Sequence, residues 1–335
     1  MAALFFGAAT PISKPLLNQL TTFHLAGLLY LGAAGGVFIL LLREGKLLLP
    51  WQMDRQNAFR LVGAILFGGV FGPLALLWGL QQASAASVSM WLNLEMVATA
   101  VLGHFFFKDY LTPRSWLAAG GVFLAAGVLA VGDGIAGIQA GILVALACIC
   151  WGIDNHLTAL IDGLTPAQST FWKGLVAGST NLVIGASLVP LSAPIMSILS
   201  GLAVGVVSYG LSIVFYITAA QHLGATRSQL IFSSAPFLGV FISIVFLREP
   251  FTPVQGLASI LFIISMLVLF REQHQHHHEH FDCHHEHLHC HDDRHHLHSH
   301  PDHPESLRHS HHHCHEATAH THPHLPDLHH RHEHA

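Results

Sequence analysis

Three observations predict an all-α membrane protein of about ten transmembrane helices in two inverted five-helix repeats, followed by a disordered His-rich C-terminal tail. Hydrophobic residues make up 52% of the chain and charged residues 10%, whereas a soluble domain carries roughly 25% charged residues. Between Ala2 and Phe270 the apolar residues fall into ten runs near the roughly 20 residues a helix needs to cross the hydrocarbon core. Third, part of the sequence recurs at an offset of 140 residues.

In chain order, the first run (2–18) carries Thr10-Pro11-Ile12-Ser13-Lys14-Pro15, whose two prolines remove backbone donors and break a regular helix. No basic segment precedes it, so it is expected to stay as a helix and not to be cleaved. Runs 23–42 and 59–80 are rich in small residues such as Gly32, Gly35, Gly36, Gly68, Gly69 and Gly72, which permit close helix contacts in lipid. Run 84–107 holds Trp91, Asn93 and Glu95; run 114–132 is wholly apolar in its interior; run 135–154 closes on Asp154 and Asn155. Lys173 lies early in run 166–189, run 197–220 has no charge, Arg227 opens run 226–247, and run 253–270 completes the body. Short connections at 18–22, 81–83, 190–194 and 248–252 predict antiparallel neighbours.

The repeat pairs Gln81 with Gln221, Ala85 with Ala225 and Phe106 with Phe246. Lys108-Asp109 pairs with Arg248-Glu249, and Thr112-Pro113 with Thr252-Pro253. Five helices per copy is an odd number, so the second copy enters the membrane upside down, an architecture common among secondary transporters. The expected units are 1–133, 134–270 and the tail 271–335. Arg43, Lys46, Arg55, Arg60, Lys108 and Arg114 all fall in the second and fourth loops. The excess of cations in cytoplasmic loops then puts both termini in the cytoplasm of a bacterial inner membrane. Arg248 falls outside because its counterpart Lys108 is inside.

Ionisable groups at membrane depth are costly and usually functional. Lys14, Trp91, Asn93, Glu95, Asp154, Asn155, Lys173 and Arg227 are the candidate substrate or coupling residues. Glu95 is expected beside Lys14, either as a carrier of a coupling proton or as half of a structural ion pair. Asp154 with Lys173 has the same two readings, and Arg227 can equally be an interfacial anchor.

Of 31 histidines, 27 lie after residue 270. The tail has no apolar periodicity and cannot bury enough surface to fold alone. Its candidate metal ligands are His276, His277, His278, His280, Cys283, His284, His285, His287, His289, Cys290, His291, His311, His312, His313, Cys314 and His315. Imidazole and thiolate suit zinc, nickel, cobalt and copper, and the irregular spacing predicts several interchangeable sites. A pH-responsive polyelectrolyte is the competing reading.

Ala8-Ala9-Thr10-Pro11-Ile12-Ser13-Lys14, the run from Ser84 through Asn93-Leu94-Glu95 to Lys108-Asp109, and Cys150 to Asn155 together resemble the EamA-type family of the drug/metabolite transporter superfamily. Lys173 to Gly178 and Ala235 to Gly239, continuing to Arg248-Glu249, extend the resemblance over both halves. It implies ten helices in two inverted repeats and a central cavity. The implied activity is proton- or gradient-driven movement of small organic metabolites, most often outward. The family pattern has Gly before the acid of its elbow, where this chain has Lys108 and Arg248. The long His-rich tail is outside that pattern, and an alternative cargo is a transition-metal ion or chelate collected by the tail. No Walker loop, nucleophile elbow or helical zinc-protease motif is present, so no enzyme activity and no required cofactor are expected. Expected partners are the lipid bilayer, a small-molecule substrate and transition-metal ions on the tail; a homodimer is compatible and nucleic acid is not expected.

Overall fold

The computed structural model describes residues 1–44, 47–107, 111–161, 164–223, 232–270, 275–280, 283–289, 309–315 and 318–323. Its body is helical. Helices α1 (Ala2–Gly7) and α2 (Ala9–Leu16) form the broken first segment, followed by α3 (Thr22–Glu44). Next, α4 (Arg55–Ala64) runs through a π-helical turn at Ile65–Phe71 into α5 (Gly72–Gln82). A break at Leu92-Asn93 separates α6 (Ala85–Trp91) from α7 (Leu94–Phe107), and α8 is Pro113–Gly132. The second half comprises α9 (Gly134–Ala159), α10 (Pro166–Leu188), and α11 (Ile195–Val204) joined by a π-helical turn at Gly205–Leu211 to α12 (Ser212–Leu223). It ends with α13 (Ala235–Phe246) and α14 (Pro253–Phe270).

Six of these rods are long and apolar enough to cross a membrane unaided: Thr22–Arg43, Arg55–Gln82, Ala85–Phe106, Pro113–Gly132, Gly134–Ala159 and Ile195–Ala219; Ala235–Phe246 and Pro253–Val268 are shorter apolar helices. The apolar surfaces that face outward, including Phe59, Phe106, Leu117, Ile135 and Phe246, are those a lipid solvent would cover. The inner faces bury polar groups instead, among them Gln168, Thr170, Lys173 and Asn181 of α10.

The two π turns lie 140 residues apart and have equal lengths of 7 residues. Contacts between the halves are reciprocal. Helix α3 packs on the second π turn while α10 packs on the first; α5 packs on α9 while α12 packs on α1; α4 meets α9 while α11 meets α2. The pairings α3 with α10 and α8 with α14 join an element to its own counterpart, and α6 packs on α13, the counterpart of α7. Such a pattern is what an approximate two-fold relation between two repeats generates. At the α3–α10 seam, Gly27, Gly174 and Gly178 lie so close to the partner helix that an added Cβ would press on backbone atoms.

The tail departs from the expectation of a segment without regular structure. Strand β1 (Gln275–His280) pairs antiparallel with β4 (Thr318–Pro323), and β2 (Cys283–His289) with β3 (His309–His315), in two separate two-stranded ladders. Backbone pairing is available to any extended chain. Neither ladder has the third strand or apolar face that lends such a unit independent stability.

Candidate functional site

The site grows from two helix breaks. The Asn93 side chain donates back to the Met90 carbonyl at 2.8 Å, and its backbone N–H reaches the same oxygen at 3.1 Å. Asn thereby competes with the regular ladder and stops α6. At the equivalent position of the second half, the chain turns at Ser233 and Ser234, and α13 restarts with Pro236 in its first turn. These breaks face one another across a narrow cleft lined by Leu92, Asn93, Glu95 and Met96 on one side, Phe232, Ser233, Ala235 and Pro236 on the other, and Phe6 from α1.

Glu95 is the acid of that cleft. Asn155 of α9 donates to its Oε1 at 3.1 Å and also contacts Thr99 Oγ1 at 3.3 Å. His156, next along α9, meets the Thr99 carbonyl at 2.8 Å. An acid from the first half is thus oriented by an amide from the second. Beside it runs a continuous set of rings. Phe6 lies 5.1 Å from Phe232, 5.9 Å from Tyr209 and 6.2 Å from Trp151, and Phe232 lies 4.9 Å from Tyr216.

Lys14 corrects the sequence expectation. Its ammonium donates to the carbonyls of Leu80 at 2.5 Å and Ala83 at 2.8 Å, at the end of α5, so two of its three donors serve a helix terminus, and among the described residues Glu95 is hydrogen-bonded by Asn155 instead. Cations satisfy the last carbonyls of a helix and complement its dipole. Three residues on, Glu249 of the second half accepts from the backbone N–H groups of Ala85 at 2.8 Å and Ala86 at 2.9 Å, capping α6. The elbow between α5 and α6 is therefore clamped from both sides by opposite charges.

Asp154 and Lys173 do form a pair. Lys173 Nζ lies 2.6 Å and 2.7 Å from the two carboxylate oxygens. Thr158 adds a hydrogen bond to Asp154 Oδ1 at 2.9 Å, and the two side chains are only 7% and 11% exposed. Neither residue lines the cleft. Trp91, fully buried, donates to the Ala126 carbonyl at 3.1 Å and packs against Gly141 of α9, which makes it a core residue where the two halves meet. Arg227, Cys290 and His291 lie outside the described residues, as do the side chains of the other tail ligands. Among the described residues no three His, Cys, Asp or Glu side chains come together.

Sequence reasoning missed the network around the first π turn. A π turn leaves carbonyls without their usual helical partner. Here the Gly68 carbonyl accepts from the Tyr30 hydroxyl and from Trp151 Nε1, the latter at 3.1 Å, and the Gly69 carbonyl accepts from Asn181 at 3.2 Å. The adjacent pair Gly68-Gly69 was the available signal. Phe6, Phe232 and Ser233 were also missed, although Ser233 sits 140 residues after Asn93.

With this geometry in view, the profile of the EamA-like transporter family matches residues 1–131 and again 139–271. A relative in Methanothermobacter thermautotrophicus described as an uncharacterized transporter is 24% identical over 291 residues, covering 80% of this chain and 84% of its own length. A protein of known crystal structure superposes with a TM-score of 0.59 at 14% identity, covering 80% of this chain and 93% of that one; it speaks for the fold alone. Two successive matches spanning nearly the whole helical body show that the chain is an integral membrane protein of the EamA-like transporter family, within the drug/metabolite transporter superfamily.

Proposed function

We propose that the protein is a proton-coupled secondary transporter that moves small organic metabolites outward through the cleft between its two halves. The observation that carries this reading is the Asn155–Glu95 hydrogen bond at that cleft. It places one titratable group where two broken helices from opposite repeats meet, and broken helices at mid-membrane are where secondary transporters bind their cargo. In this reading all ten segments cross the bilayer as two inverted five-helix units, 1–133 and 134–270, with both termini in the cytoplasm of a bacterial inner membrane. Rocking of one repeat against the other alternately exposes the cleft. The reciprocal contacts of the two halves support such a motion.

The tail, in the same reading, binds zinc, nickel, cobalt or copper in the cytoplasm as a buffer or sensor. Its 27 histidines and three cysteines support this. Transport of a metal ion or chelate is the second reading, favoured by the tail and opposed by the cleft, whose lining among the described residues holds one carboxylate and no His or Cys. Purified full-length protein in liposomes tests the main proposal: an imposed proton gradient should drive movement of a small organic solute, and Glu95→Gln should stop it. Gradient-independent flux, or flux indifferent to Glu95, overturns it.

A further inference from the structure

Resting on the transporter reading, we infer that Glu249 is a positioning residue whose carboxylate latches the α5–α6 elbow of the first half to the second half and holds the cleft shut at that end.

Glu249 stands between α13 and α14, and both of its carboxylate oxygens serve the other half, Oε1 accepting from the Ala85 N–H at 2.8 Å and Oε2 from the Ala86 N–H at 2.9 Å. Gln255, in the first turn of α14, donates to Ser84 Oγ at 3.3 Å and Ser87 Oγ at 3.1 Å. Hydrogen bonds to an ionised group are roughly twice as strong as neutral ones, so Glu249 carries most of the attachment. Lys14 grips the same elbow from α2, within the first half, so the elbow moves with its own repeat. From the elbow, α6 runs to the cleft packed against α13. Small residues close that seam. A Cβ at Gly239 would lie 2.6 Å from Ser89 Oγ and 2.9 Å from the Gly7 carbonyl, and Ser89 is 1% exposed. Such a seam can part without withdrawing long side chains.

The contact is also built to be broken and remade. When Glu249 leaves, α6 keeps its own cap, because Ser84 Oγ accepts from the Ser87 N–H at 3.0 Å. Glu249 is half-buried between exposed Arg248 and Pro250, and Gln81 and Gln82 of the elbow are exposed, so water can take over both sides of the bond. Asp154 and Lys173, by contrast, are buried and would be left as bare charges, which suits a fixed joint and not a switch. A force toward opening is present in the seam itself. Ser89 Oγ is buried with no hydrogen-bond partner, a penalty that wetting removes. A carboxylate cap and an unsatisfied hydroxyl are of comparable size, so neither state is locked.

The test uses the full-length chain in liposomes, with Cys148, Cys150, Cys283, Cys290 and Cys314 replaced by Ala and a single reporter, Ser89→Cys. The probe is trimethylammonioethyl methanethiosulfonate, which does not cross lipid; its addition is read as a mass shift, and monodisperse elution verifies each fold. Glu249→Gln should raise the modification rate about fivefold, the population shift that loss of a helix cap produces, and Glu249→Asp, which keeps the charge, should stay nearer wild type. Lys173→Met loosens the fold away from the elbow and should leave the rate unchanged below its melting temperature. Should Ser89→Cys not fold, nitroxides on Gln82→Cys and Phe251→Cys, at exposed positions on the two sides of the elbow, read the same opening as a weaker dipolar coupling in Glu249→Gln. Opening indifferent to Glu249, or raised equally by Lys173→Met, overturns the latch. A proton gradient imposed on the wild-type reporter separates the two proposals. Modification that follows Glu249 and ignores the gradient keeps the latch and overturns proton coupling; modification that follows the gradient and ignores Glu249 overturns the latch and keeps the transporter reading.

Discussion

Asn155 hands its side-chain amide to Glu95 across 3.1 Å, and the two residues belong to opposite halves of the chain. Under the proposed rocking of the halves, a hydrogen bond so placed would be strained or broken. Glu95→Gln should leave a folded, membrane-inserted protein with no gradient-driven flux. Asn155→Leu keeps the acid but removes its orientation, so transport should continue at a reduced rate with altered pH dependence. Liposome flux at several pH values, beside size-exclusion profiles of each variant, checks both outcomes.

Asp154 and Lys173 need each other because both are buried. Removing one partner of such a pair leaves an uncompensated charge, at a cost of about 3–5 kcal/mol. Lys173→Met should therefore lower the melting temperature in detergent sharply, and Asp154→Asn combined with Lys173→Met should recover most of that loss. The double variant also separates the two roles. If it is stable and still transports, the pair fixes packing; if it is stable and inactive, the pair takes part in coupling.

Much of this arrangement was legible before any coordinates. Helical runs follow from composition, because a chain 52% hydrophobic must put its apolar residues in lipid. The elbow at Glu249 follows from the repeat, whereas the breaks at Asn93 and Ser233 fall inside runs that read as continuous helices, because one short polar residue in an apolar run does not by itself stop a helix. Lys14 was misplaced for a physical reason: a lysine stem is long, and its ammonium can reach carbonyls at a helix end as readily as a carboxylate one turn away. The π turns were invisible because a single extra residue per turn leaves no mark on apolar periodicity. Trp91 misled because its neighbours Asn93 and Glu95 face the cleft while its own ring is buried between Ala126 of α8 and Gly141 of α9.

Gly68 supports both the π turn and the ion pair. A Cβ there would collide with the Asp154 carboxylate, whereas one at Gly35 of α3 would meet nothing within 4 Å. Overpacking a fitted site costs about 1–3 kcal/mol. Gly68→Ala should lower the melting temperature and Gly35→Ala should not. A Gly68→Ala protein as stable as wild type would mean that α9 shifts to make room, a change visible as altered Trp151 fluorescence because Trp151 donates to the Gly68 carbonyl.

The tail offers a separable experiment. A chain ending at Arg271 removes 27 of 31 histidines and leaves every residue of the cleft in place. Full-length protein should bind several equivalents of zinc or nickel in calorimetry while the shortened chain binds none, with solute flux unchanged. Elemental analysis of cells expressing either form, or Glu95→Gln, then separates buffering from metal transport. Metal content that follows the tail and ignores Glu95 means buffering, and content that changes with Glu95 means that metal or chelate is the cargo.

Arg248 sits at φ 56°, and among the described residues it is the one non-glycine with positive φ. The left-handed region costs an L-residue about 1–2 kcal/mol, which glycine avoids at the price of a more flexible unfolded chain. The family pattern places Gly at this elbow. Arg248 is exposed, so its removal vacates no packed site. Its backbone conformation also aims the next residue, Glu249, at the α6 N-terminus, where the carboxylate caps Ala85 and Ala86. Arg248→Gly should therefore raise stability by about 0.5–1 kcal/mol, the balance of those two effects. Glu249→Gln should lower it by about 1 kcal/mol through the lost cap. Thermal melting in detergent distinguishes them, and a Gly variant less stable than wild type would show that the arginine side chain itself holds the elbow closed.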